Sequence, residues 1–244
     1  MKYIIVIPAR IESQRLPRKP LIKIKGKPML IRTYEQCVKA VSPNKIYVCT
    51  DSDEIVGLCN EHNIQVLKTS QNCLTGTDRV AEFSETIKAD LYINVQGDEP
   101  VINPMDIKKI LSEAKKGKYE VYNGYTPIKH ELDFFSKSTP KVVFNAKNEL
   151  MYMSRAPIPH SKLGDFNESY RQVCIYSFTK NALDNFKRKN SKERFENFED
   201  IEILRFLEIG TKVKMIQLSD LSIPVDNPED VEKVINYLEI NGLE

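Results

Sequence analysis

Short runs of β-forming residues alternate with stretches of helical period over the first half of this chain, and that alternation most constrains its fold. The runs at 3–7, 45–49, 65–67 and 91–95 are short, apolar and followed by polar or turn residues, as buried strands are. Between them the apolar spacing predicts helices over 29–40, 54–62 and 78–88, and a fourth over 103–116 with Pro104 in its first turn. A βα repeat of this kind builds a mostly parallel sheet covered by helices.

Residues 119–178 have a different texture. Strand-like runs at 142–144, 150–153 and 173–178 follow one another without helical spacers, which predicts an antiparallel insertion. Helical period returns after Ala182, with a helix over 199–207 closed by Gly210, a strand over 213–218 and a last helix over 228–238. No repeat or low-complexity tract interrupts the chain, so 1–244 reads as one α/β domain with the insertion inside it.

Composition narrows the ligand. The chain is 41% hydrophobic and 29% charged, an ordinary globular balance. Its net charge is only +2, so no whole-molecule field draws nucleic acid or a membrane surface, and an anionic ligand needs a local cluster of cations. The apolar run in MKYIIVIPAR is too short for a signal peptide or a spanning helix, which points to the cytoplasm and to no membrane insertion. The cysteines Cys37, Cys49, Cys59, Cys73 and Cys174 show no zinc-type spacing and read as free thiols. His62, His130 and His160 read as surface or structural residues.

One loop supplies the cations. After the first strand, PARIESQRLPRKP places Arg10, Arg15, Arg18 and Lys19 within ten residues. Ligands of α/β sheets sit beyond the carboxyl ends of strands, so this loop is expected over a polyphosphate. Arg10, Arg15 and Lys19 are its candidate contacts, with the backbone at Pro8 and Ala9. A solvated basic loop is the plain alternative. No GxxxxGK[ST] is present, which excludes an ordinary P-loop.

Two acidic segments complement it. In NVQGDEP a strand ends at Asp98, and magnesium favours one or two carboxylates together with phosphate oxygens and water. In VDNPED, Asp226 could be a second ligand, although alone it reads as a residue at a helix start. A turn aspartate is the plain reading of Asp98. The segment TGTDR offers Thr77, Asp78 and Arg79 as groups that could meet a base edge or ribose.

Taken in order, IPARIESQRLPRKPL, KGKPML, TGTDR, NVQGDEP, MYMSRAPIP and VDNPEDVEK resemble the 3-deoxy-manno-octulosonate cytidylyltransferases, also called CMP-Kdo synthetases, over nearly the whole chain. The resemblance implies a Rossmann-like nucleotide-binding fold and a homodimer formed through the antiparallel region. It also implies direct attack of an acidic sugar's anomeric oxygen on the α-phosphate of CTP with Mg2+, in the synthesis of outer-membrane or capsular polysaccharide. By position it puts Arg10, Arg15, Lys19, Thr77, Asp78, Arg79 and Gln96 around the nucleotide, Asp98 and Asp226 on the metal, and Arg10, Lys19, Asp98 and Asp226 at the chemistry. Gln96, Arg155, Gln172, Tyr176, Glu202 and Ile203 fall on the sugar side. No Ser-His or Cys-His constellation is recognisable, which fits direct displacement, a reaction that needs no protein nucleophile.

The chain departs from the family on that side. Where the family has His-x-Gly-Ile-Tyr it carries Gln172-Val173-Cys174-Ile175-Tyr176, and where the family has Leu-Glu-Gln-Leu-Arg it carries Ile201-Glu202-Ile203-Leu204-Arg205. A changed sugar pocket is therefore as credible as drift, and an amino-octulosonate or a nonulosonate stands as the alternative substrate. A GT-A-type glycosyltransferase and a CTP sensor without turnover are the rival functions. The basic loop favours handling a whole triphosphate over the first, and the intact phosphate and metal residues argue against the second.

Overall fold

A computed structural model describes residues 1–13, 15–166, 168–188 and 191–243. Strand β1 (Tyr3–Ala9) alternates two apolar sets: Ile5, Ile7 and Ala9 enter one core, and Ile4 and Val6 the other. A strand buried on both faces belongs in the middle of a covered sheet. β1 does pair on both sides, in parallel, with β4 (Ile46–Thr50) and β6 (Leu91–Val95).

The full order is β11-β7-β10-β6-β1-β4-β5, where β5 is Val66–Lys68, β7 is Val121–Pro127, β10 is Tyr170–Thr179 and β11 is Val213–Gln217. Only β10 runs against its neighbours on this path, so the mostly parallel expectation holds. The strands of the 119–178 region divide between two places. β7 and β10 lie inside the main sheet, while β8 (Lys141–Phe144) and β9 (Leu150–Ser154) form a hairpin hung on β10. The small hairpin of β2 (Lys23–Ile24) and β3 (Lys27–Pro28) stands apart.

Helices cover both faces. α1 (Met29–Ala40), α2 (Asp53–Glu61) and α4 (Pro104–Lys115) contribute to the core that holds Ile5 and Ile93. α3 (Gly76–Thr86) and α6 (Lys180–Lys187) contribute to the core that holds Ile4 and Phe178. Short α5 (Glu131–Phe135) follows β7. The last helix, α9 (Pro228–Ile240), packs Val234 and Leu238 with Leu16, Ile24 and Val225 in a small separate core. Helix starts follow local chemistry: Thr75 with Asp78 and Asn227 with Asp230 form capping boxes, and Asn103 caps α4 ahead of Pro104.

The helix expected over 199–207 is corrected. α7 (Arg194–Glu199) stops at Asp200, which takes a left-handed φ of 51°, and α8 (Leu204–Glu208) begins only after Glu202. The break frees Glu202 to face a cleft.

Candidate functional site

β1 and β6 run side by side and end together, delivering the basic loop and Gln96-Gly97-Asp98 to one edge of the sheet. A Cβ on Gly97 would stand 3.0 Å from the Pro8 carbonyl, so this approach needs glycine. Leu16, buried in the small core under α9, ties the loop to the segment that carries Asp226. The backbone N–H of Val225 donates to Asp98 O at 3.0 Å, which fastens the two acidic segments together. Above them opens a cleft of about 1580 Å³.

Lys19 is the hub. Its Nζ donates to Asp98 Oδ2 at 2.6 Å and to Asp226 Oδ1 at 3.1 Å, and Arg15 adds a bond of 2.9 Å to the same Asp226 oxygen. Burial would lower the Lys19 ammonium, but Asp98 and then Asp226 outweigh it and hold its pKa above the ordinary lysine value. The two carboxylates expected to share a metal thus already converge on one cation. Arg10 lines the same cleft, exposed, with Asp200 feeling its charge. Pro8 and Ala9 line the floor.

Beside this cluster, Glu202 Oε1 accepts from Gln96 Nε2 at 2.8 Å and Oε2 accepts the Thr77 backbone N–H at 2.9 Å. Burial pushes the Glu202 carboxyl up, against the pull of that N–H. Gly76 makes the fit possible, since a Cβ there would lie 2.9 Å from both Gln96 amide atoms. Of the TGTDR residues, Thr77 is fully buried, and its backbone N–H holds Glu202. Asp78 is turned inward: it closes the Thr75 cap and takes Arg205 Nη1 at 2.7 Å. Arg205 is fully buried, forked onto Glu196 at 2.6 Å through Nε and Nη2, and stacked on Phe186. Arg79 reaches the cleft wall but spends its guanidinium on Thr69, Ser70 O and Asp51.

On the expected sugar side, Gln172 and Tyr176 from β10 line the cleft, and Gln172 Nε2 donates to Tyr176 OH at 3.1 Å. Burial holds the Tyr176 phenol and the neighbouring Cys174 thiol well above their ordinary pKa values, so both keep their protons. Arg155 also lines the cleft, with its guanidinium bonded to the carbonyls of Lys137, Glu199 and Asp200. Ile203 is a correction: it is fully buried among the core residues of α3, α6 and α8, because the break after α7 directs Glu202, not Ile203, to the cleft. His130, read as a surface or structural residue, is exposed and lines the same cleft.

Three further residues escaped the sequence reading. Arg171 and Ser222 line the cleft beside Asp98, and Arg171 Nη2 donates to Ser222 O at 3.1 Å. Behind them Glu99 accepts from the Ser222 hydroxyl at 2.5 Å, and burial pushes its carboxyl up to about 7. Adjacency to a residue already singled out was the available signal for Arg171, before Gln172, and for Glu99, after Asp98 in NVQGDEP; nothing local marks Ser222.

Comparison with known proteins identifies the family. A family model described as cytidylyltransferase matches residues 4–216. The chain is 35% identical over 241 residues to the 3-deoxy-manno-octulosonate cytidylyltransferase of Christiangramia forsetii, covering 97% of each chain. It is 37% identical over 244 residues to that of Polynucleobacter necessarius, covering 97% of this chain and 95% of the relative. A solved CMP:2-keto-3-deoxy-manno-octonic acid synthetase in complex with CTP superposes with a TM-score of 0.90 at 31% identity, over 99% of this chain and 100% of that one.

Proposed function

Since this chain belongs to the cytidylyltransferases, and among them to the 3-deoxy-manno-octulosonate cytidylyltransferase family, we propose that it transfers CMP from CTP to the anomeric hydroxyl of Kdo. As the anomeric oxygen forms a bond to the α-phosphorus its O–H bond breaks and the proton passes to water, the bond from the α-phosphorus to the bridging oxygen breaks, and that oxygen keeps the electron pair as pyrophosphate leaves. One observation carries the reading: two carboxylates 128 positions apart in sequence, Asp98 and Asp226, meet on the ammonium of a cation-rich loop at the carboxyl edge of the sheet.

That arrangement fits a divalent cation, because the oxygens are already oriented towards a positive charge. Magnesium held by Asp98 and Asp226 would neutralise phosphate charge as pyrophosphate departs. The rest falls to the chain. Lys19, Arg15 and Arg10 hold phosphate oxygens, and Gln96 and Glu202 orient the reactants on the cleft floor. No side-chain nucleophile is needed; the cleft thiols Cys73 and Cys174 are kept protonated, with burial pushing Cys73 up to about 12.

A homodimer through 119–178 is part of the reading. Among the described residues β9 has a strand partner only in β8, its own Met151 is exposed, and so are Phe195 and Phe198 of α7, the first packed on Tyr152 of β9: apolar groups that a second copy would cover. Among the described residues no helix is long and apolar enough to cross a membrane.

Pyrophosphate release from CTP and magnesium, measured across Kdo, 8-amino-Kdo and nonulosonic acids, tests the proposal. Highest kcat/KM with Kdo supports it, and preference for 8-amino-Kdo moves the assignment to the amino-octulosonate. Release with none of the sugars, or preference for a nonulosonate, overturns it.

A further inference from the structure

β10 carries two residues more than β7 between its two paired stretches. Val173 lies opposite Gly124 and Tyr176 opposite Asn123, with Cys174 and Ile175 bulging between them. A bulge leaves carbonyls without ladder partners. Asn123, fully buried on β7, replaces those partners: its Nδ2 donates to Val173 O at 3.0 Å and to Ile175 O at 2.9 Å. A carbonyl cannot donate, so these two bonds fix which end of the Asn123 amide is nitrogen.

The polarity then passes outward. Asn123 Oδ1 faces Gln172 and accepts its Nε2 at 3.0 Å. Turning the Gln172 amide over would set two carbonyl oxygens against each other, so its orientation is fixed too. Its second N–H goes to Tyr176 OH at 3.1 Å. Both amide hydrogens of Gln172 are thereby used, and the carbonyl Oε1 is the one group this cleft-lining side chain still offers.

We propose that Asn123 is a positioning residue that sets the hydrogen-bond polarity of the cleft wall: through Gln172 the wall presents only an acceptor, and selects a sugar carrying a hydroxyl or ammonium hydrogen at that point. The proposal rests on the transferase reading and adds a selection rule to it. The sugar's carboxylate must lie away from Gln172, where two acceptors would repel. A histidine at this position could present either polarity; Gln172, locked by Asn123, presents one.

The test uses Kdo analogues in which each hydroxyl other than the anomeric one, which is the nucleophile, is replaced in turn by fluorine, which cannot donate, and by an amine. In the wild-type protein one fluoro analogue should lose on the order of 10- to 100-fold in kcat/KM while the amine at the same carbon is accepted and the KM for CTP is unmoved. Gln172→Met should shrink that one penalty to about threefold or less, since the acceptor that required a donor is gone. Asn123→Ala frees the Gln172 amide to turn and should erode the same penalty. If Asn123→Ala does not fold, Gln172→Met decides, because it leaves the bulge bonds intact. Equal use of every fluoro analogue by the wild type, or a penalty that persists in Gln172→Met, overturns the proposal. Absence of CMP transfer to unsubstituted Kdo overturns the transferase reading and this one with it.

Discussion

Lys19 and Asp98 form an ion pair of 2.6 Å in which the lysine side chain is 15% exposed, and the same ammonium reaches Asp226 at 3.1 Å. A lysine thus stands between the two carboxylates proposed to hold a metal. A divalent cation has to displace that ammonium, and a triphosphate offers Lys19 and Arg15 new partners as it arrives. Metal and nucleotide are therefore expected to bind together. Lys19→Met should tighten Mg2+ or Mn2+ binding to the nucleotide-free protein by about tenfold or more, since an ion pair at this depth is worth several kcal/mol of raw Coulomb energy. Calorimetric titration reads this directly; unchanged metal affinity would show that the two cations do not compete. The same variant should weaken CTP more than CMP, because the lost charge serves the outer phosphates.

Asp98→Asn and Asp226→Asn should each lower kcat by about 100-fold or more while the thermal transition stays close to that of the wild type. Each change keeps the side chain's shape and removes one negative oxygen from the pair. Near-normal turnover in either folded variant removes that residue from the metal site.

Legibility varied with the range of the interactions. Helix α1 matches its expected bounds, and so does β6, because period and flanking residues are local properties. β7 went unread because Asn123 and Gly124 sit in its middle, residues that strands disfavour unless, as with Asn123, the side chain repairs a bulge on the neighbouring strand. The joint between α7 and α8 was hidden because Asp200 adopts a left-handed turn that helical period does not reveal. At the site, the cations and Asp98 stood out as motifs, but the meeting of Asp98 with Asp226 depends on α9 returning over the loop, and no spacing encodes it. Ile203 failed for a related reason: family position put it on the sugar side, and the helix break between α7 and α8 put its neighbour there.

Arg205→Met should lower stability by about 3–5 kcal/mol, since it strands the fully buried Glu196 carboxylate, and leaves the half-buried Asp78, without their cation. Denaturant unfolding measures this. Loss of well under 1 kcal/mol would mean that the carboxylates find other partners. A double change, Arg205→Met with Glu196→Gln, should recover part of the deficit, because one of the unpaired charges is removed with it.

Lys141 gives a pH signature. It is fully buried, donates to the carbonyls of Ser136 at 2.7 Å and Arg155 at 2.6 Å, and burial lowers its pKa from 10.5 to about 8. The unfolded chain therefore holds the Lys141 proton more tightly than the folded one between those values, and stability rises with pH across that window. Below about pH 8 the penalty of a buried ammonium is fully present. Lys141→Met lacks this dependence. The stability of the wild type relative to Lys141→Met should accordingly rise between pH 8 and 10.5, while tyrosine and cysteine ionisation, common to both proteins, cancels in the difference. A difference that is flat with pH would mean that Lys141 titrates normally in the folded protein.

Gly76→Ala probes the cleft floor without removing any functional group. The added Cβ would lie 2.9 Å from both Gln96 amide atoms and 3.3 Å from Pro8 Cγ, so something must shift. Pro8 belongs to the central strand, and the Gln96 side chain is the softer neighbour. Its displacement stretches the 2.8 Å bond to Glu202, whose other oxygen is held by the Thr77 N–H at 2.9 Å on the first turn of the same helix. Alanine itself suits a first helical turn, so α3 should remain formed and the melting temperature nearly unchanged. Activity should not: a reactant group displaced by a fraction of an ångström to one ångström costs about tenfold or more in kcat/KM. Gly76→Ala combined with Gln96→Ala should be no worse than Gln96→Ala alone, because the clash and the residue it displaces are then both gone. Additive losses would place the effect of Gly76 on the nucleotide itself rather than on Gln96.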